Sequence, residues 1–189
     1  MAQPALHTGT AGEALRLGLH AADRNDPDPK ALACYGLWLP AREQMLLRFV
    51  DGRPVSSVTC AFLAWAAEQL AAEGVRVLAL IWDNASWHIS QEVRDWIRGH
   101  NREVKRTGHG GRLLVCRLPS KSPLPSLWLG QLRCRIGQGR WLNVIEPKWV
   151  HGKRAVVEPE RKLAAVELKK RLCEYYRSQL LPPLAQEVC

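Results

Sequence analysis

Val75-Arg76-Val77-Leu78-Ala79-Leu80-Ile81-Trp82, followed at once by Asp83 and Asn84, is the stretch that decides the fold. A run so uniformly β-branched and aliphatic does not alternate as a half-exposed strand would; it suits a strand covered on both faces. It predicts a parallel strand in the middle of a sheet, with helices on either side. Asp83 then stands at the carboxyl end of that strand, the edge where α/β sheets bind ligands. The plainer reading is that Asp83 and Asn84 only open the turn into the next helix.

Working upstream, Ser56, Ser57 or Thr59 can cap a helix in which Phe62, Ala66 and Leu70 share a stripe and which Gly74 can end. Before it, ALACYGLWL and EQMLLRFV are short apolar runs separated by Pro40 and closed by Asp51-Gly52, which predicts an antiparallel pair of strands. The first thirty residues, polar and ending in DRNDPDPK, read as one short strand and then a loop. Downstream, Ser90 opens a helix with Val93, Trp96 and Ile97 toward the core, and GRLLVCRLP supplies another strand. A final basic helix is predicted from Pro159 to the stop at Pro182-Pro183, with Leu163, Val166, Leu172 and Tyr176 on its apolar stripe. Strand and helix alternate through the middle of the chain, an α/β order.

The 189 residues make about one domain, and no stretch reaches the roughly 18 apolar residues of a membrane span. The start lacks a charged head followed by an apolar run, so a secretory signal is not expected and the cytoplasm is. The six cysteines are scattered, with no CxxC pair, and are expected as reduced, buried small hydrophobes rather than metal ligands. Charge is more telling. Residues 1–100 carry 9 Lys+Arg against 11 Asp+Glu, whereas 101–189 carry 18 against 7, a local excess of +11. A basic half of that size favours a polyphosphate partner such as nucleic acid, with a solvated basic surface that has no partner as the alternative.

A second block adds specificity: Leu142-Asn143-Val144-Ile145-Glu146-Pro147-Lys148-Trp149, preceded by Leu118-Pro119-Ser120-Lys121-Ser122-Pro123. DNASWH, LPSKSP and LNVIEPKWVHGKRAV together resemble the second and third acidic motifs of DDE-type transposases of the mariner superfamily, in their bacterial insertion-sequence branch. The resemblance extends over ALACYGL, FVDGRPVS and the closing basic helix, and so over nearly the whole chain. It implies a ribonuclease H-like mixed sheet flanked by helices. It also implies two Mg²⁺ or Mn²⁺ ions held by carboxylates, DNA strands cut and joined, and transposon ends and target DNA as partners. A homodimer, or pairing with a full-length transposase, follows from the same likeness, as does residence with the nucleoid.

By resemblance Asp83 is the second metal-binding carboxylate and Glu146 the third, the latter on the first turn of a helix. Asn84, Asn143 and His88 are expected to orient the carboxylates or approach the site, although His88 reads equally as a hydrogen-bonded helix-start residue. Lys121, Lys148, Lys153 and Arg154 are expected on DNA phosphates. Trp82, Trp87 and Trp149 are expected in the core.

Two departures from the family pattern accompany these assignments. The Asp-Glu strand that carries the first aspartate would precede Ala2, and Asp23, Asp26, Asp28 and Asp51 match no family motif. The expectation is therefore a single partial catalytic domain over 1–189 that lacks the first strand and the upstream helix-turn-helix domain, is inactive alone and is marginal in stability. Residues 124–141 stand where the family has one residue, so 62 residues separate Asp83 from Glu146. A non-catalytic DNA-binding or transposase-interacting protein is the alternative.

Overall fold

In a computed structural model the chain is described over residues 6–18, 31–82, 84–117, 145–157 and 163–185, with side chains at all of these except 6–18, 31, 117 and 146. Leu6–Gly18 (β1), Ala31–Leu39 (β2) and Gln44–Asp51 (β3) form an antiparallel meander. The tight β2–β3 connection runs through a 3₁₀ turn at Pro40–Arg42, with Glu43 in the left-handed region at φ 49°. Ser56–Ala72 (α1) crosses to Val77–Trp82 (β4), and Ser86–Ile89 (α2) and Gln91–Thr107 (α3) lead to Arg112–Arg117 (β5). Ile145–Val156 (α4), Ala165–Tyr176 (α5) and the two-residue strand Leu184–Ala185 (β6) follow.

The six strands lie in the order β5-β4-β1-β2-β3-β6. β4 is parallel to both β1 and β5, as its continuous apolar sequence predicts, and β6 is parallel to β3. The antiparallel pairing expected of ALACYGLWL and EQMLLRFV is present, with Tyr35 opposite Arg48 and Leu37 opposite Leu46. This mixed sheet with helices on both faces is the ribonuclease H-like class that the family resemblance implies.

One expectation fails. The first strand is not missing: Leu6–Gly18 lies in the centre of the sheet, antiparallel to β2 and parallel to β4. Unpaired backbone groups on both neighbours would each have cost on the order of 1–3 kcal/mol. With β1 in place those groups are paired, and the reason given for marginal stability falls away. The segment was easy to underrate because Gly9, Gly12 and Gly18 interrupt it and its apolar content is low. Its position comes from the ladders on either side, and propensity yields to them.

Successive residues of β2 face opposite sides, and both sides are covered. Ala33, Tyr35 and Leu37 pack with Phe62, Leu63 and Ala66 of α1, Leu78 and Leu80 of β4, and Val93 and Ile97 of α3. Leu32, Cys34 and Trp38 join Met45, Leu47 and Phe49 of β3 in a second core closed by Ile145 and Trp149 of α4 and Leu168 and Leu172 of α5.

Helix ends mostly follow the sequence. The Ser90 hydroxyl accepts from the Val93 amide at 3.2 Å to cap α3, while Gly74 and Gly108 adopt positive φ beyond α1 and α3. The cap of α1 differs: Val55 occupies that position without a side-chain bond, and Thr59 turns its hydroxyl back to the Val55 carbonyl. The final helix is also shorter than predicted. It ends at Tyr176, where Arg177 turns left-handed and Ser178 bonds the Cys173 carbonyl, and Val166 is 73% exposed rather than in the core. The predicted start at Pro159 and the 124–141 insertion lie outside the described residues.

Both margins of the sheet are tied down. At one, Arg48 donates to the Pro182 carbonyl at 3.0 Å as the chain approaches β6. At the other, the Asn101 amide donates to the Leu113 carbonyl and its oxygen accepts from the Leu113 amide, each at 2.8 Å.

Candidate metal and DNA site at the carboxyl edge of the sheet

β1 and β4 run in the same direction, so their carboxyl ends share one edge. Their ladder steps from Leu6 opposite Val77 to Thr10 opposite Ile81. One step further lies Ala11, and just beyond, where β4 stops, the register of β1 with β2 shifts between Gly12 and Leu15, as at a β-bulge. Glu13, the only acid in the sequence of β1, belongs to that bulge. Sequence reasoning passed it over, having sought an Asp-Glu motif on a strong strand. The signal that finds it is the parallel register with β4, which no local pattern contains.

Asp83 follows Trp82 directly in sequence and lies outside the described residues, as do Asn143 and Lys121. Glu146 occupies the first turn of α4, as expected, and its side chain is likewise outside them. The expected meeting of Asp83 and Glu146 across a cleft therefore falls outside what is described. Among the described residues no group of three or more His, Cys, Asp or Glu gathers as a metal cage.

His88 is placed clearly. It is buried, stacked on Trp82 at 5.0 Å between ring centroids with planes 3° apart, edge-on to Trp87 at 6.0 Å, and 6.3 Å from Tyr35. Its backbone amide bonds the Ala85 carbonyl at 2.9 Å. The imidazole thus belongs to an aromatic cage beneath the end of β4, one that fixes the turn into which Asp83 leads. Trp82 and Trp149 are core residues as expected, and Trp87 packs partly buried against the same cluster. Asn84 is exposed on the loop between Trp82 and α2.

On α4, Ile145, Trp149, Gly152 and Val156 form the buried stripe. Lys148, Lys153 and Arg154 do not share one face. Lys148 is exposed and sets its Nζ 4.4 Å over the Trp38 ring; Lys153 is half-buried on the opposite flank; Arg154 points outward. At 100° per residue, positions 146 and 153 fall on one flank, so Lys153 is the cation nearest in azimuth to the Glu146 position.

Burial raises the thiols and phenols around these cores. Desolvation, with Cys173 nearby, pushes Cys34 up to about 12, and the Lys153 charge offsets a little of that. Desolvation pushes Tyr35 up to about 12 despite its bond to Thr59, and Cys60 up to about 11. These cysteines are buried and free, as expected, whereas Cys116 on β5 is exposed.

No family model and no curated protein matches the chain. Among solved structures, the catalytic domain of Mos1 mariner transposase is similar over 91% of this chain and 70% of its own, at 14% identity and a TM-score of 0.51. A simian T-cell lymphotropic virus intasome in complex with PP2A regulatory subunit B56 gamma is similar over 96% of this chain and 59% of that one, at 12% identity and a TM-score of 0.46. The catalytic core domain of BIV integrase is similar over 89% and 82%, at 10% identity and a TM-score of 0.43. The likeness to the Mos1 domain agrees with the topology in assigning the ribonuclease H-like fold. No helix among the described residues is long and apolar enough to cross a membrane.

Proposed function

We propose that this chain, with the sheet of a transposase catalytic domain, cleaves and joins DNA strands with divalent metal ions bound at the carboxyl edge of β1 and β4. The observation that carries the proposal is the parallel β1–β4 pair, whose shared edge gathers the Glu13 bulge and the strand end leading to Asp83. Glu146 on α4 supplies the third acid.

The donor set fits the group. Carboxylates are the hard oxygen ligands that Mg²⁺ and Mn²⁺ prefer, and Glu13, Asp83 and Glu146 would hold them. When bound, such a pair of ions activates the attacking hydroxyl or water and stabilises the leaving oxygen of a phosphodiester. The remaining tasks belong to the chain. Asn84 and Asn143 orient the acids by hydrogen bonding, and the Trp82–His88 stack stiffens the turn between β4 and α2. Lys121, Lys148, Lys153 and Arg154 hold phosphates, a contact that positions the duplex without reading its sequence. Transposon ends and a target duplex are the substrates in this reading, a second copy or a full-length transposase the protein partner, and the nucleoid the place of action.

Expected inactivity rested on the missing first aspartate together with its strand; β1 supplies the strand, and in this reading Glu13 stands in for the aspartate. Nicking of supercoiled DNA in Mg²⁺ tests the proposal: cleavage is expected in the intact chain and lost in Asp83→Ala and Glu146→Ala. Cleavage that survives both changes, or none in a chain shown to be folded, overturns it. The basic second half favours one other reading, DNA binding without catalysis. Salt-sensitive binding with no Mg²⁺-dependent cleavage would single it out.

A further inference from the structure

Helix α4 is fastened to its surroundings by an unusual contact. The Tyr176 hydroxyl on α5 donates to the Lys148 carbonyl at 2.6 Å, across 28 residues of sequence. The same hydroxyl lies close against Gly152, one turn on. A Cβ at position 152 would collide with that oxygen and with the ring carbon Cε2 at 2.9 Å. The hydroxyl therefore lies against the helix backbone between residues 148 and 152, at a place only glycine leaves open.

Neighbouring contacts brace the same turn. The Tyr176 ring meets Trp149 edge-on at 5.8 Å, and the Trp149 indole fills the space beside Gly36, its Cη2 2.7 Å from where a Cβ would stand. Lys148, whose carbonyl takes the phenol, reaches the Trp38 ring with its ammonium. β2, α4 and α5 are thus pinned at one level, two residues after Glu146. Helices slide past one another readily along apolar seams, and a buried directional bond resists that slide.

We propose that Tyr176 is a positioning residue for Glu146: its hydroxyl sets the axial height of α4, so that cation affinity at the sheet edge depends on a group that touches no cation. The inference rests on the functional reading above. It predicts that loss of one oxygen weakens metal binding about tenfold, the lower end of the range for groups that orient ligands from behind.

Manganese titration of the full chain tests it, with Tyr176→Phe, Glu146→Gln and the double variant. Tyr176→Phe should bind Mn²⁺ about tenfold more weakly with an unchanged circular dichroism spectrum. In the Glu146→Gln background the same change should have no further effect, a non-additivity that a merely stabilising tyrosine would not give. Gly152→Ala, which forces the hydroxyl away, should reproduce the weakening and serves if Tyr176→Phe does not fold. Equal Mn²⁺ affinity in the folded variants and the parent, or an additive double variant, overturns the inference alone. No Mn²⁺ uptake by the parent overturns the functional reading and this inference with it.

Discussion

The hydroxyls of Tyr35 and Thr59 share a hydrogen bond of 2.8 Å between β2 and the first turn of α1. Both hydroxyls also reach the Val55 carbonyl, Thr59 at 3.1 Å and Tyr35 at 3.4 Å, so either can donate in the shared bond. Tyr35→Phe removes one bond and should cost about 1 kcal/mol. Thr59→Val leaves the phenol only its longer bond to the Val55 carbonyl, at 3.4 Å, and should cost about 1–3 kcal/mol. Urea unfolding of both and of the double variant checks this. A double variant as unstable as the sum of the two would show that the groups act separately.

Gly36 is the second place where shape is decisive. Its missing Cβ leaves room for the Trp149 ring, with the Met45 sulfur 3.1 Å away on the other side. Gly36→Ala should destabilise the chain by about 1–3 kcal/mol through overpacking. A thermal melt indistinguishable from the parent would show that the indole has somewhere else to go.

Stability at high pH follows from the buried thiols and phenols. Tyr35 and Cys34 are raised to about 12 and Cys60 to about 11, from ordinary values of 10 for the phenol and 9 for the thiols. Each group is neutral when protonated, so folding favours the protonated form. The contribution is whole below the unfolded values and is lost as pH rises through the folded ones. Urea midpoints should hold steady from neutrality to about pH 9 and fall toward pH 12. A midpoint that climbs over that interval would contradict the burial described.

DNA affinity should fall steeply with salt. Lys148→Ala and Arg154→Ala, each on exposed ground, should lower the slope of log K against log salt by about one each. Lys153→Ala should change it less, because the residue is half-buried and part of its field falls on Cys34. Slopes unchanged in all three would move the DNA to another face.

Glu13 is the sharpest test of the site. If the bulge supplies the missing ligand, Glu13→Gln should reduce Mn²⁺ affinity as severely as Asp83→Asn while the fold is kept. Full Mn²⁺ affinity in Glu13→Gln would leave the site to Asp83 and Glu146.

How much of this was legible beforehand depended on whether the signal was local. VLALIW named its own position, because a strand covered on both faces is apolar at every residue. The Ser90 cap and the Gly74 stop were equally readable, since each acts within one helical turn. β1 was not readable in that way. Its central place comes from pairing with residues 31–38 and 77–81, and its own glycines argue against it. The candidate site divides along the same line. Asp83 and Glu146 stood out by motif, whereas Glu13 emerges only from register and Tyr176 only from the packing of α5 on α4. His88, read equally as approaching the site or as a hydrogen-bonded helix-start residue, is buried against three aromatic rings, two of them from β2 and β4, which its own segment does not reveal.

The fastening of the two sheet margins bears on how copies of this chain meet one another when crowded. An open strand edge is a template on which further chains can stack into fibrils. Here Pro182 and Pro183, which have no amide proton to offer, escort β6 onto one flank, and the Asn101 carboxamide imitates a strand against Leu113 on the other. A neighbouring copy therefore meets, at each described margin, backbone groups already taken up within this chain.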